Sequence, residues 1–189
     1  MRRAHAQTDK VSFVGSVAPA ICSAMDRADK PGVADSQPPA LRRLESGDLA
    51  AIETHLLDLD LVSRNRRFHS GFSDAAVAAY VRRLDPSTDI LFGAIEEDSG
   101  RIVGLAEARP AGRPRTVDVA ASVLTPHRRR GLAHELVART VAVAFGQGAT
   151  AVELLFAPDD AAAAHIAAGL GASRAAPGRA VLLLAEPRL

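Results

Sequence analysis

Residues 125–137 read TPHRRRGLAHELV: three consecutive arginines stand directly before a glycine, and an apolar helical pattern follows. Leu132, Leu136 and Val137 recur at helical spacing after Gly131, which predicts a helix beginning at this glycine. A helix N-terminus already carries free N–H groups and positive partial charge, so adjacent arginines are unfavourable unless an anion neutralises them. Glycine leaves room for an anion to reach the main chain. The stretch therefore predicts a phosphate site at the start of a helix.

The segments on either side of this turn predict a sheet with helices. Upstream, RTVDVAASVLT predicts a strand from about Thr116 to Leu124, and DILFGAIEEDSGRIVGLAEAR predicts a strand, a turn and a strand. Two helices are predicted before them, in LESGDLAAIETHLLDLD and SDAAVAAYVRRLD, after a short extended start. Downstream, AVELLFA, DAAAAHIAAGLG and RAVLLLAE predict a buried strand, a helix and a last strand. The order β-α-α-β-β-β-α-β-α-β predicts an α/β sheet of mixed direction.

The beginning of the chain differs from the rest in its proline content and in its lack of a hydrophobic period. Residues 1–39 contain four prolines and no sustained period, which predicts a flexible N-terminal extension followed by one domain over residues 40–189. The first 24 residues weakly resemble a secretory signal, but polar residues and Pro19 interrupt their apolar run. No stretch of 18 apolar residues occurs, so no membrane span is predicted. We expect a cytoplasmic protein.

Composition and spacing exclude several classes of site. The formal net charge is +1 and aromatic residues make up 4% of the chain, which argues against nucleic acid as a partner. The six histidines show no metal-binding spacing, and Cys22 is the single cysteine, so we expect no metal and no disulfide. The glycines match neither a nucleotide triphosphate loop nor a dinucleotide fingerprint. The alternative at the arginine turn is that the arginines are solvated and Gly131 only begins the helix.

The segment RRRGLA, Arg128 to Ala133, resembles the [Q/R]-x-x-G-x-[G/A] signature of the GCN5-related N-acetyltransferases. Its context, from Leu41 to the C-terminus, resembles the order of elements in that family. LDLVSRNRRFHSGFSD, residues 59–74, is similar to a stretch of a bacterial branch that includes the catalytic domains of protein-lysine acetyltransferases. The resemblance implies an α/β (α+β) fold: a mixed, mostly antiparallel sheet of six to seven strands, flanked by about four helices.

The resemblance also implies an activity and a cosubstrate site. It implies an N-acetyltransferase that moves an acetyl group from acetyl-CoA to an amine, directly and in a ternary complex, without a metal. Main-chain groups around Val123 and Leu124 would pair with the pantetheine arm. The pyrophosphate would be held, mostly through backbone N–H groups, by Arg128, Arg129, Arg130, Gly131, Leu132 and Ala133. A homodimer is compatible with this scheme.

Acetyl transfer to an amine needs a base, and two carboxylates are candidates. Asp118 stands where the branch often has a glutamate, at the start of the fourth strand, although it is one methylene shorter. Glu107, near the end of the third strand, is the second candidate. Either carboxylate could instead be a solvated strand-end residue.

This sequence has no tyrosine at the position that the resemblance assigns to the family's general acid. Its usual tyrosine on the last helix falls on Ala167, which implies that thiolate departure is unassisted or protonated by water. Tyr80 is predicted to lie in the core. His165 on the last helix could substitute, although a lone histidine there is more often structural, and His127 and His134 flank the turn.

The acceptor and the class of the protein stay open at this stage. VSRNRRFHSGF, which suits a loop or a short helix, carries Arg64, Arg66, Arg67 and His69 together with Phe68 and Phe72. These residues could attract an acidic small molecule or protein face, or the phenylalanines could anchor the segment while the arginines are solvated. The alternatives to an enzyme are a non-catalytic acyl-CoA-binding sensor or regulatory module and a nucleic-acid-binding domain.

Overall fold

The computed structural model describes residues 37–69 and 71–183. Within these ranges it contains seven strands: β1 (Ala40–Arg43), β2 (Ile90–Ile95), β3 (Ile102–Pro110), β4 (Thr116–Val123), β5 (Ala151–Leu155), β6 (Ser173–Ala176) and β7 (Arg179–Leu183). The same ranges contain five α-helices: α1 (Leu49–Leu57), α2 (Leu61–Phe68), α3 (Asp74–Val81), α4 (Leu132–Gly146) and α5 (Ala161–Gly169). Single 3₁₀ turns at Ser46–Asp48 and Thr125–His127 lead toward α1 and α4.

The strands form one mixed sheet in the order β1-β2-β3-β4-β5-β7-β6. In the described part of the chain β4 and β5 are parallel, and the other neighbouring pairs are antiparallel. The predicted fold class, a mostly antiparallel mixed sheet of six to seven strands, is confirmed. The predicted flexible extension lies almost entirely outside the described residues, so it stays a prediction.

Local sequence signals explain where the helices begin. The Ser73 hydroxyl accepts a hydrogen bond from the Ala76 amide at 3.2 Å, and Asp160 Oδ1 accepts one from the Ala163 amide at 3.0 Å. Both are side-chain caps that satisfy free N–H groups in the first turn, as their positions predicted. Asp60 caps α2 in the same way, accepting from the Ser63 amide at 2.9 Å. The segment predicted as a loop or short helix is therefore the helix α2.

The apolar core lies on both faces of the sheet. On one face, α1 and α3 bury Ile52, Leu56 and Val77 against the central strands. On the other, α4 buries Val137 and Val141 against β4 and β5. The prediction that β5 is buried on both faces is confirmed, since its three central residues are all buried. Strand β6 was not predicted, and all four of its residues are exposed.

The pairing of β4 with β5 ends before β4 does. The parallel ladder runs from Thr116 opposite Ala151 to Val119 opposite Leu154, whereas β4 continues to Val123. Residues 120–123 consequently extend beyond the ladder with β5. A cavity lies beside this unpaired part of β4, whose residues 120–123 contribute to its lining.

Candidate active site

A cavity of about 780 Å³ lies where β4 and β5 separate. Its walls come from α2, the last part of β4, the first turn of α4, the end of β5 and the start of α5. The cavity has the size of a site for a large cosubstrate rather than for an ion. The arginine turn contributes His127, Arg128, Arg129 and Gly131 to its lining.

The turn after β4 exposes the N-terminus of α4 to this cavity. Arg129 and Gly131 have left-handed backbones, with φ of 62° and 79°, and α4 begins at Leu132. The first intrahelical bond joins the Glu135 amide to the Gly131 carbonyl at 3.1 Å, so the preceding amides have no partner within the helix. Apart from Gly131 and its chain neighbours, no described residue places a heavy atom within 4 Å of the position that a Cβ of Gly131 would occupy. The predicted start of the helix at this glycine is confirmed, and the space beside it is open.

The three arginines of the turn have different surroundings. Arg128 donates from Nε to the Val123 carbonyl at 2.9 Å and from Nη2 to the Ser63 hydroxyl at 2.6 Å, and it lies 3.3 Å from Asp60 Oδ2. Its guanidinium therefore joins the turn to α2. Arg129 lines the cavity, and Arg130 is exposed outside its lining. Within the described ranges neither Arg129 nor Arg130 has a side-chain partner, which leaves both available to an anion.

Asp60 organises the contact between the turn and α2. Its carboxylate accepts hydrogen bonds from the Ser63 amide and hydroxyl, from the Thr125 hydroxyl at 2.9 Å, and from Arg128. The bonds from Ser63, followed by those from Thr125 and Arg128, hold the pKa of Asp60 well below its usual range. The turn is thus anchored through a carboxylate with a lowered pKa, which sequence reasoning did not identify.

The predicted pantetheine positions are partly used by the protein itself. The Val123 carbonyl is bonded to Arg128, the Leu124 amide donates to the Val103 carbonyl at 2.9 Å, and the Leu124 carbonyl accepts from the His127 amide at 2.9 Å. Val123 lines the cavity, whereas Leu124 lies outside the lining residues. Residues 120–122 also line it, beyond the ladder with β5.

Asp118 lies on β4, directly opposite Arg109 of β3 and Glu153 of β5. Its half-buried side chain makes no hydrogen bond or ion pair with any described residue. Burial, reinforced by the charge of Glu153, raises the pKa of Asp118, while Arg113 and Arg179 oppose the rise. Glu153 stays ionised because Arg179, whose Nε lies 3.1 Å from Glu153 Oε2, and Arg113 hold its pKa below the usual range. Asp118 is thus a carboxylate with a raised proton affinity.

Glu107 is buried and bonded, which differs from the solvated strand-end alternative. Its Oε1 accepts hydrogen bonds from Arg67 of α2 and from the Tyr80 hydroxyl of α3. Tyr80 belongs to the core as predicted, and burial, with the nearby Glu107 charge, raises the pKa of Tyr80 to about 12 against the opposing effect of Arg67. This cluster was missed because its members are far apart in sequence.

Four histidines lie in or near the site. His127, His134 and His165 line the large cavity. His55 of α1 is buried, with Nδ1 2.9 Å from the Ile102 carbonyl and Nε2 2.9 Å from the Ser122 hydroxyl. Since a carbonyl can only accept, Nδ1 carries the proton and Nε2 accepts from Ser122. His55 therefore links α1 to β3 and β4.

The described residues offer neither a metal-binding cluster nor a membrane-spanning helix. They include no group of three or more His, Cys, Asp or Glu residues placed to hold a metal ion. Across the same two ranges, no helix is both long enough and apolar enough to cross a membrane.

Solved structures share this fold. The GNAT domain of S. lividans PAT superposes with a TM-score of 0.64 at 19% sequence identity, covering 76% of this chain and 89% of that one. The structure of yncA from Salmonella typhimurium with its cofactor acetyl-CoA superposes with a TM-score of 0.64 at 18% sequence identity, covering 82% of this chain and 98% of that one. Spermidine N-acetyltransferase from Vibrio cholerae, in complex with CoA and spermine, superposes with a TM-score of 0.60 at 18% sequence identity, covering 76% of this chain and 94% of that one.

Comparison of the sequence identifies a family but no individual relative among curated proteins. No curated protein matches the chain. The model of the Acetyltransferase (GNAT) family matches residues 56–172, a span that includes α2, α3, the arginine turn and α5. This span covers more than half of the 189 residues and contains every element that lines the large cavity. The chain therefore belongs to the Acetyltransferase (GNAT) family.

Proposed function

We propose that this protein is an acetyl-CoA-dependent N-acetyltransferase that transfers the acetyl group directly to an amine in a ternary complex. One observation carries the proposal: the free N-terminus of α4, with Gly131 in a left-handed conformation, opens onto a 780 Å³ cavity at the separation of β4 and β5. Membership of the family supports acetyl transfer as the class of reaction. The cytoplasmic location and the homodimer stay predictions.

The residues of the turn fit a diphosphate. The amides of Leu132 and Ala133 stand at the positive end of a 15-residue helix, where they can donate to phosphate oxygens. Arg129 and Arg130 add positive charge from side chains that have no hydrogen-bond or ion-pair partner among residues 37–69 and 71–183. Arg128 holds the turn in place through Val123 and α2. The pantetheine arm would lie along β4 beyond Val119. There the amide groups of the arm can hydrogen-bond the main-chain groups of β4 that β5 leaves unpaired.

Asp118 is the residue that we assign as the general base. An ammonium group must lose a proton before its nitrogen can attack, and the Asp118 carboxylate takes that proton directly or through one water. The raised pKa of Asp118 makes it a better proton acceptor than a solvated aspartate. The neutral nitrogen then forms the amide bond as the carbon–sulfur bond breaks and releases its second proton to water, and the thiolate leaves unassisted or is protonated by water.

The first experiment tests the phosphate seat by placing a side chain beside the turn. Gly131→Val both strains the left-handed backbone and fills the open space, so acetyl-CoA affinity should fall about tenfold or more in calorimetry. Gly100→Val is the matched control, because Gly100 also has positive φ and open surroundings but lies in the β2–β3 turn. Equal affinity in the two variants contradicts the assignment of the turn.

The second candidate function is a non-catalytic acyl-CoA sensor. The observation that favours it is that buried Ala167 occupies the position of the family's acid. Steady release of CoA thiol with amine acceptors separates the two functions, because a sensor binds acetyl-CoA without turnover. Binding without thiol release across a broad acceptor panel would favour the sensor.

A further inference from the structure

His55 of α1 is buried, and neither the proposed phosphate seat nor the proposed base uses it. Its Nδ1 lies 2.9 Å from the Ile102 carbonyl, and its Nε2 lies 2.9 Å from the hydroxyl of Ser122 on β4. Because a carbonyl oxygen can only accept, Nδ1 carries the ring proton and Nε2 keeps a free lone pair. The Ser122 hydroxyl therefore donates its single proton to His55.

This bond leaves the Ser122 oxygen as an acceptor alone. The oxygen keeps its lone pairs after the proton is committed to His55, and no donor among residues 37–69 and 71–183 pairs with them. Ser122 is half-buried and contributes to the lining of the large cavity. A ligand that reaches this oxygen from the cavity finds an acceptor and no donor, so the ligand must supply the proton of the bond.

The position of Ser122 on β4 selects the part of the ligand that can reach it. Ser122 belongs to residues 120–123, which extend beyond the ladder with β5, and it follows Asp118 by four residues, about 13 Å along the strand. Asp118 lines a smaller cavity of about 370 Å³, to which Ser122 does not contribute. An amine at Asp118 is therefore distant from Ser122, whereas an arm that runs along β4 from the arginine turn passes Ser122 first.

We propose that Ser122, oriented by His55, accepts a hydrogen bond from an amide N–H of the pantetheine arm of acetyl-CoA. The arm carries two amide N–H groups, and the thioester carries none, so this bond fixes the arm along β4 and takes no part in the transfer itself. Ser122 touches the cosubstrate, and His55 is a positioning residue that acts through Ser122. This inference rests on the proposed function, because it takes acetyl-CoA as the ligand of the large cavity.

Two ligands that share their phosphates separate the arm from the phosphate seat. CoA carries the arm, whereas adenosine 3′-phosphate 5′-diphosphate is the nucleotide part of CoA without it. In calorimetry on the full-length protein, Ser122→Ala should lower CoA affinity about fivefold, as for one neutral hydrogen bond, and leave nucleotide affinity unchanged. Ser173→Ala is the control, because Ser173 is exposed on β6 and lies outside both cavities. Unchanged CoA affinity in Ser122→Ala, or an equal loss for both ligands, overturns the inference.

Analogues of CoA in which an ester oxygen replaces one amide N–H test the same bond from the ligand side. One of the two analogues should bind the wild-type protein about fivefold more weakly than CoA or worse, and Ser122→Ala should remove that difference. If Ser122→Ala fails to fold, the wild-type measurement still decides, since equal binding of CoA and both analogues contradicts the inference. A variant that keeps the full difference shows that the N–H meets another acceptor, which also contradicts it.

The tautomer of His55 provides an independent readout. Nitrogen NMR of the ring near neutral pH should show a protonated Nδ1 and an unprotonated Nε2, both without ligand and with CoA bound. The reverse tautomer would make Nε2 the donor and release the Ser122 proton toward a ligand. Observation of that tautomer overturns the inference, because Ser122 would no longer be an acceptor alone.

The binding measurements, combined with CoA thiol release, separate this inference from the proposed function. CoA binding that weakens in Ser122→Ala, without thiol release by the wild-type protein, supports Ser122 and refutes the transferase. Thiol release with an unaffected Ser122→Ala variant supports the transferase and refutes only the role of Ser122. A wild-type protein that binds neither CoA nor the nucleotide refutes the proposed function and this inference with it.

Discussion

At the scale of single residues, the carboxylates of the site differ in their partners. Glu107 and Glu153 are buried beside arginines, whereas Asp118 has no bonded partner among the described residues and a raised pKa. An ion-paired carboxylate is a poor proton acceptor, because protonation must break the pair. A half-buried carboxylate beside a fixed negative charge gains from accepting a proton. This difference in partners assigns the base role to Asp118 in our proposal.

Substitution of Asp118 tests that role. Asp118→Asn should lower kcat for CoA release about 100-fold, within the range for loss of a general base, and leave acetyl-CoA affinity unchanged. Because the pKa of Asp118 is raised, the wild-type rate should fall, as pH decreases, at a higher pH than an ordinary aspartate would give. Stopped assays across pH measure both effects, and Asp98→Asn, in the exposed β2–β3 turn, is the control. Full activity of Asp118→Asn removes this residue from the mechanism.

His55 is a second residue whose environment changes its chemistry. Burial, only partly offset by the hydrogen bond to the Ile102 carbonyl, lowers the pKa of His55 to about 4. The unfolded chain binds this proton near the ordinary histidine pKa of about 6.5, so unfolding is favoured as the pH falls from about 6.5 toward 4. The stability contributed by neutral His55 is present above that window and lost within it.

Urea unfolding at pH 7 and pH 4.5 measures this effect. The free energy of unfolding should decrease by on the order of 3 kcal/mol at most from this group, as the pKa difference implies. His55→Gln, which does not titrate, should show a correspondingly smaller decrease between the two pH values. His165→Gln, at an exposed position on α5, should behave like the wild type. If His55→Gln retains the full acid sensitivity, another group causes it.

At the scale of elements, α2 connects the arginine turn with the buried Glu107 of β3. Its cap Asp60 and Ser63 hold Arg128 at one end, and Arg67 at the other end bonds Glu107. Arg66 also lies 3.2 Å from Asp159, before α5, across the cavity, although both side chains are largely exposed and the pair contributes little energy. The helix α2 is thus capped by Asp60 at its start, and Arg67 ties its last turn to β3.

Removal of two helix caps tests this connection. Asp60→Ala and Ser73→Ala each delete an N-cap and should each lower the free energy of unfolding by about 1 kcal/mol. Asp60→Ala should also weaken acetyl-CoA binding by about threefold to tenfold, because Thr125 and Arg128 lose their common acceptor. Ser73 has no contact with the turn, so its variant should keep wild-type affinity. Equal affinities in the two variants show that the turn does not depend on Asp60.

Elements also show where sequence patterns are informative. The helices α4 and α5 and the strands β2 to β5 were predictable, because apolar periodicity and capping residues act over short distances. Strand β6 carried no such signal: Ser173–Ala176 is exposed throughout and is held as a strand by pairing with β7. The pairing partner of an exposed edge strand is set by the sheet, not by its own side chains.

At the scale of the whole molecule, the site depends on one sheet that is continuous from β1 to β6. The antiparallel strands β1 to β4 form a platform beneath α1 and α3, and β5 joins it in parallel and then diverges. The cavity results from this divergence, since a continuous ladder would have filled the edge of β4 with strand pairing. The proposed binding of acetyl-CoA therefore depends on the sheet geometry as well as on the side chains that line the cavity.

Shortening the chain tests the predicted domain boundary. Removing residues 1–36 should leave the midpoint of thermal unfolding and acetyl-CoA affinity unchanged, if residues 1–39 form the flexible extension that their composition predicts. Removing residues 1–45 also deletes β1, which pairs with β2, and Leu44, which is 1% exposed in the core. That loss should cost about 2–5 kcal/mol or more. A lower midpoint for the first truncation contradicts the predicted extension.

The sequence by itself predicted most of the elements and the start of α4 at Gly131, because these follow from local periodicity, capping and backbone preference. It also predicted that the arginine turn binds an anion, and that role stays a prediction. It also indicated Asp118 and Glu107 as candidate bases, but it did not indicate that the two carboxylates differ in their bonded partners. Only the tertiary structure decided that Glu107 is bonded to Arg67 and Tyr80, that Arg128 is tied to Asp60, and that Asp118 stays unpaired. Those outcomes depend on contacts between residues 27 to 68 positions apart, which no local pattern encodes.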